Sequence, residues 1–241
     1  MNVAWKTDRG HVRISNQDAV LVDREQGIFL LADGMGGRNA GDVASEIAVK
    51  EAYACILKET ARTVCADDVP DLLEKALGQA HRAIKEKAES DSGLHGMGTT
   101  LVEMFIQSTV AYLCHAGDSR VYLFRDTLQQ VTRDHTLSDY YVARGKREGE
   151  EVSPQLRHVL TQALGTRDCP VPDKKALQLK QGDIMLICSD GLTDMLRDDE
   201  IQGIIMGHSG RLNEMVNALT EAANKKGGRD NISVIAVGIE E

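Results

Sequence analysis

Apolar positions along the chain follow two periods, and the changes from one to the other mark its elements. They alternate over 19–23, turn at Glu25-Gln26-Gly27, and become continuous over 28–32, the patterns of a half-buried and a fully buried strand. From Asp42 the period is that of a helix: Val43, Ile47, Ala54 and Leu57 share one face, and Lys58-Glu59 closes it. A second helix is clearer. Val69, Leu72, Leu73, Ala76, Leu77, Ala80, Ala83 and Ile84 recur at three- and four-residue steps, with Asp67 or Asp68 as N-cap. Strands return over 99–106, 109–115, 121–125 and 129–131 with the spacing of a meander. Residues 136–157 are charged and weakly patterned, and read as a surface flap. Two more strands are predicted over 176–179 and 184–188. Asp198 opens a short helix, and Leu212, Met215, Val216, Leu219, Ala222 and Ala223 mark a longer one, ended by Gly227-Gly228. The β-branched run 232–239 is the last strand.

Blocks of strands alternating with pairs of helices argue for an α+β fold, antiparallel sheets with helices on their outer faces, rather than βαβ units. No repeat, low-complexity stretch or linker interrupts the 241 residues, so 1–241 reads as a single domain. Aromatics are only 4% of the chain, which leaves the core to Leu, Ile, Val, Ala and Met. No apolar run approaches the ~20 residues of a membrane span, and the first residues lack the apolar centre of a signal peptide. The expectation is a cytoplasmic protein with no membrane partner. With 28 Lys and Arg against 37 Asp and Glu, the net charge of −9 repels phosphate backbones, so nucleic acid is not an expected partner either. Cys55, Cys65, Cys114, Cys169 and Cys188 are odd in number and contain no CxxC, which suits free thiols.

The chemistry gathers at strand ends. Asp18 opens one strand and Asp33 closes its neighbour, so an antiparallel hairpin brings them to one edge. Asp118 falls in a turn between two strands, Asp190 ends the strand before it, and Asp230 stands just ahead of the last strand. Each of these on its own is most simply a turn residue, Met35 reads as core filler, and His115 and His135 as packed side chains. Taken together, five carboxylates at one edge would raise each other's pKa steeply unless cations fill the cluster. With no His or Cys ligand nearby in the sequence, the site would select Mg²⁺ or Mn²⁺. Asp33-Gly34-Met35-Gly36-Gly37 lets the backbone approach closely, so the Gly34 carbonyl can join the ligands. Arg13 offers a planar fork to phosphate oxygens. Two such ions about 3.5–4 Å apart can clamp a phosphoryl group and acidify a bridging water, for in-line hydrolysis of a phosphate ester.

Eight segments appear in order: Arg13-Ile-Ser-Asn-Gln-Asp18, Ala32-Asp-Gly-Met-Gly-Gly37, Gly98-Thr-Thr-Leu101, Ala116-Gly-Asp-Ser-Arg120, Thr132-Arg-Asp-His135, Leu160-Thr-Gln-Ala-Leu-Gly165, Cys188-Ser-Asp-Gly-Leu-Thr-Asp194 and Gly228-Arg-Asp-Asn-Ile-Ser233. Together they resemble the metal-dependent protein phosphatases of the 2C type in their compact bacterial form. The resemblance implies a four-layer α-β-β-α sandwich of two antiparallel sheets flanked by helix pairs, with a binuclear metal centre at one edge. It implies that Asp33 bridges two Mn²⁺ or Mg²⁺ ions, that Gly34 offers its carbonyl to one, and that Asp190 and Asp230 hold the other. Asp18 would support the centre through water, and Asp118 with Asp190 would hold a third, weaker ion. Arg13 matches the phosphate-binding arginine, and 136–157 the flap beside the active site. Relatives carry a histidine at the position of Met35 or of Arg38. Neither is present here, so the leaving oxygen would take its proton from metal-bound water, and Arg38 reads as a surface side chain.

The implied activity is a phosphoric monoester hydrolase acting on phosphoserine and phosphothreonine in proteins. It would work as a monomer whose partners are phosphoproteins and a cognate Ser/Thr kinase. A hydrolase of small phosphate esters finds no dedicated base pocket in the sequence. A catalytically silent binding module is the alternative, and the loss of Asp33, Asp190 or Asp230 would be its signature. A cysteine-dependent tyrosine phosphatase, which needs arginine six positions after a thiol, is set aside.

Overall fold

The computed structural model describes residues 1–61, 65–144, 154–166, 168–208 and 210–240. In chain order its elements are β1 (Asn2–Asp8), β2 (Asp18–Asp23), β3 (Ile28–Met35), α1 (Gly37–Thr60), α2 (Val69–Ser90), β4 (Gly98–Thr99), β5 (Leu101–Gln107), β6 (Val110–Ala116) and β7 (Arg120–Arg125). There follow β8 (Thr127–Gln130), α3 (Leu137–Ala143), β9 (Asp173–Gln178), β10 (Ile184–Cys188), α4 (Asp190–Thr193), α5 (Asp198–Gly207), α6 (Leu212–Lys225) and β11 (Ile232–Gly238). One sheet runs β1-β11-β10-β7-β8, the other β2-β3-β5-β6-β9 with β4 beside β3, and the pairings within both are antiparallel.

The continuous apolar runs are explained by burial on both faces. In β3, Ile28, Leu30 and Ala32 pack under α1 and α2, while Phe29 and Leu31 point the other way. There they meet Met185 and Ile187 of β10 and Ile235 and Val237 of β11 between the sheets. The outer face of the other sheet lies under α5 and α6, through Leu186, Val234, Ile201, Ile205, Met215 and Leu219. Each side chain of this size taken fully out of water favours the fold by about 1.5–3 kcal/mol before entropy is counted. The result is the expected four-layer sandwich.

Differences from the sequence reading have local causes. α1 begins five residues before Asp42, through Gly37 and Gly41, which are poor helix formers. Gly41 is required there: a Cβ on it would stand 2.8 Å from the backbone of Gly34. Asp68 occupies the cap position of α2 but makes no capping hydrogen bond. β1 was not anticipated from the pattern. Within the stretch read as a flap, 137–143 is the helix α3 and 154–158 a 3-10 turn, while 145–153 lie outside the described residues. No helix among the described residues is long and apolar enough to cross a membrane.

Candidate metal centre

The ends of both sheets converge on one cleft. Asp18 and Asp33 are direct partners at the open end of β2–β3. The β6–β7 connection crosses from one sheet to the other there and carries Asp118. β10 ends beside it, with Asp190 the first residue of α4 rather than the last of the strand, and Asp230 precedes β11. Arg13, Asp33, Gly34, Met35, Asp118, Asp190, Asp194 and Asp230 line the same space of about 1450 Å³, and Asp18 adjoins it, paired with Asp33 and hydrogen-bonded to Ser189. Every residue expected of the site is therefore brought to one place. Met35 is not core filler: it is half-buried on the cleft wall. The Arg38 side chain lies outside the described residues.

Small polar residues fix the carboxylates. Ser189 Oγ donates to Asp18 Oδ2 at 2.9 Å and accepts the Ser233 amide at 3.0 Å. Thr100 Oγ1 accepts the Asp33 amide at 2.9 Å and is 2.8 Å from Ser119 Oγ. Gly34 sits so close to its neighbours that a Cβ would be 2.1 Å from the Gly41 carbonyl oxygen and 2.5 Å from that of Gln17. At Gly117, φ is +117° and a Cβ would press on the Thr100 side chain, so only glycine turns the chain into Asp118. Asn231, 4% exposed, ties down the Arg13 loop. Its Oδ1 accepts the Gln17 amide at 2.8 Å, and its Nδ2 donates to the Arg9 and Ser15 carbonyls at 2.9 Å each. Arg13 Nη2 is paired with Asp230 Oδ2.

Electrostatically the cluster is incomplete. Burial first, then the charges of Asp18, Asp190, Asp118 and Asp230, push the Asp33 carboxyl well above the ordinary range. Burial, then Asp118, Asp194, Asp230 and Asp18, do the same to Asp190. Burial raises Asp18 to about 6 against the opposing hydrogen bonds, and burial followed by the Asp134 charge raises Asp118 to about 6. Among the described residues, Asp18 Oδ1 and Asp190 Oδ1 are buried with no hydrogen-bond partner. Crowded carboxylates with orphaned oxygens fit hard divalent cations such as Mn²⁺ or Mg²⁺.

The sequence reading missed three things here. The set is not free of nitrogen: His158 Nδ1 lies 3.7 Å from Asp194 Oδ2, and these two residues and Asp190 can bring ligand atoms within 4.8 Å of one another. The supporting roles of Ser189, Thr100 and Asn231 carry no periodic signal, although their segments were singled out. Finally, Cys114 does have Arg120 six positions on, so the spacing alone does not set aside a thiol mechanism. The structure does. Cys114 is fully buried under the helices, burial drives its thiol far above the usual range, and Arg120 forks onto Asp134 at 2.7–3.0 Å. His115 and His135 stack at 4.7 Å, as packed side chains do.

Residues 7–233 match the family model described as Protein phosphatase 2C. The serine/threonine phosphatase stp of Listeria innocua is 36% identical over 242 residues, covering 98% of this chain and 95% of that protein. The protein phosphatase PhpP of Streptococcus pneumoniae is 35% identical, covering 100% and 98%. Among solved structures, the serine/threonine phosphatase PstP/Ppp of Mycobacterium tuberculosis superposes with a TM-score of 0.88 at 34% identity, covering 100% and 99%. A PstP catalytic domain in complex with 2 manganese ions gives 0.86 at 32% identity, covering 100% and 98%.

Proposed function

The chain belongs to the protein phosphatase 2C family, and from that premise we propose that Arg13, Asp18, Asp33, Gly34, Asp118, Asp190 and Asp230 are its working residues. The activity is metal-dependent hydrolysis of phosphoserine and phosphothreonine in proteins, with manganese or magnesium as cofactor. The observation that carries the residue assignment is the pair of buried, unpartnered oxygens on Asp18 and Asp190 inside a crowd of carboxylates.

Asp33, Asp190 and Asp230, with the Gly34 carbonyl, would hold two ions; Asp18 backs them, and Asp118 with Asp190 would serve a third. When bound, the ions supply positive charge that polarises phosphoryl oxygens and makes water a nucleophile at neutral pH. The protein's own part is positioning. Arg13, half-exposed at the cleft, presents a guanidinium to the phosphoryl oxygens while Asp230 orients it. Asn231 holds the loop that carries Arg13, and Ser189 and Thr100 hold Asp18 and Asp33 at fixed places on the sheet ends, so little order is lost when substrate arrives.

The substrates are phosphoproteins. The family reading also supports a cognate Ser/Thr kinase as functional partner, a single catalytic domain over 1–241 that acts as a monomer, and a cytoplasmic setting, which the five free cysteines suit. Phosphate release from a phosphothreonine peptide tests the assignment. Turnover with Mn²⁺ should vanish with EDTA and in Asp190→Ala. Undiminished turnover in that variant would remove Asp190 from the site.

A further inference from the structure

Isolated apolar side chains on a surface are ordinary. Three that are exposed on the wall of a catalytic cleft are not. Ile14 is 94% exposed, Val12 65% and Val159 43%, and all three line the space that holds Arg13, Asp33 and Asp190. Val12 and Ile14 stand on either side of Arg13 in the chain.

Their loop is pinned. The His11 and Val12 amides donate to the Gly228 carbonyl at 2.8 and 3.3 Å, Arg9 Nη1 donates to the Ile14 carbonyl at 3.3 Å, and Asn231 holds Arg9 and Ser15. The two side chains are thus presented in place, at no further cost in backbone order when a partner covers them. Exposed aliphatic surface fixed beside a phosphate site gains most from an apolar occupant. That occupant must reach it from the phosphoryl group, and one residue of extended peptide spans only about 3.3 Å. Because Val12 and Ile14 directly flank Arg13 in the chain, the substrate side chains that come to them first are those flanking the phosphorylated residue.

We propose that Val12, Ile14 and Val159 form a specificity surface of the cleft, which recognises an aliphatic side chain directly neighbouring the phosphoserine or phosphothreonine. This rests on the phosphatase reading above and narrows its substrate class.

The test compares two phosphothreonine peptides of equal length and charge, with leucine or with serine on both sides of the phosphothreonine. Each kcat/KM is measured with Mn²⁺ for the wild type and for Val12→Ser/Ile14→Ser. Values are normalised to p-nitrophenyl phosphate turnover by the same protein, which reports the phosphate site alone. The expected result is a wild-type preference for the leucine peptide of about fivefold or more, expressed mainly in KM, that falls to within about twofold in the double variant. Equal kcat/KM for the two peptides in the wild type, or a preference that survives in the variant, would overturn the proposal. No p-nitrophenyl phosphate turnover by the wild type would sink the phosphatase reading, and this inference with it.

Discussion

Asp18 and Asp33 are partners across one rung of the β2–β3 ladder, at which like charges repel, and both are half-buried, with Asp18 Oδ1 shut off from solvent. Without cations the cheapest relief is a proton. Burial sets Asp18 near 6 when folded, above the ~4 of an unfolded aspartate. A raised folded value means a contribution that is full below about pH 4 and is lost as pH rises to about 6. The metal-free protein should therefore be destabilised by Asp18 at neutral pH, by about 2–3 kcal/mol for a shift of this size. In EDTA, Asp18→Asn should melt higher than wild type at pH 7 and draw level near pH 4. Saturating Mn²⁺ should raise the wild-type Tm at pH 7 and reverse the order. An Asn variant less stable than metal-free wild type at pH 7 would contradict the account.

Arg13 is ion-paired with Asp230 inside the acidic cleft. Its pair with Asp230 is half-exposed, so it adds little to stability. Its planar fork is what a phosphoryl group uses, and lysine keeps the charge without the fork. Arg13→Lys should lower kcat/KM for p-nitrophenyl phosphate by about tenfold or more, with Tm within about 2 °C of wild type. Steady-state kinetics beside a melting curve separate the two effects. Wild-type kinetics in the variant would mean that charge alone suffices.

Asn231 holds three backbone groups of the Arg13 loop from a buried position. Truncation strands the Gln17 amide and the Arg9 and Ser15 carbonyls. Asn231→Ala should cost about 2–3 kcal/mol in urea unfolding. It should also raise KM for a phosphothreonine peptide, because Arg13 loses its fixed place. Asn231→Asp returns the acceptor for Gln17 but sets a buried carboxylate oxygen against the Arg9 and Ser15 carbonyls beside Asp230, so it should recover neither loss. A change in stability with no change in KM would reduce Asn231 to a structural role.

The meeting of Asp18 and Asp33 was legible because it depends on hairpin pairing alone, whereas Asp118, Asp190 and Asp230 join them only through the packing of one sheet on the other. Asp18 begins a strand, Asp33 ends its hairpin partner, and antiparallel pairing does the rest. The sandwich was legible too, since continuous apolar runs such as Ile184–Cys188 demand cover on both faces. What escaped is what leaves no period. α3 buries no residue, so it has no apolar face to reveal it. The start of α1 is written in glycines that contradict helix propensity, because the backbone of Gly34 must come close to Gly41. His158 meets Asp194 only through the tertiary fold. Ser189, Thr100 and Asn231 act through hydrogen bonds that depend on geometry more than on spacing.

Glu103 has no part in the cleft. It is fully buried on the helix-side face of β5 between Leu101 and Phe105, and its one polar neighbour among the described residues is the thiol of Cys114 directly across the ladder, a weak donor. Burial pushes its pKa well above the usual value, which favours the neutral acid. The sign follows directly. The folded state binds the proton more tightly than the unfolded chain, so this contribution is full below about pH 4.5 and is lost as pH rises toward the folded value. Glu103→Leu replaces a polar group, served only by the weak thiol donor of Cys114, by an apolar one of similar size in an apolar setting. It should stabilise the protein by about 2 kcal/mol at neutral pH, with a gain that grows as pH rises above about 4.5, and leave kcat/KM within about twofold of wild type, because Glu103 does not line the cleft. Urea unfolding of both proteins at several pH values reads this out. A destabilised variant, or a gain independent of pH, would mean that the buried carboxyl has a partner it depends on.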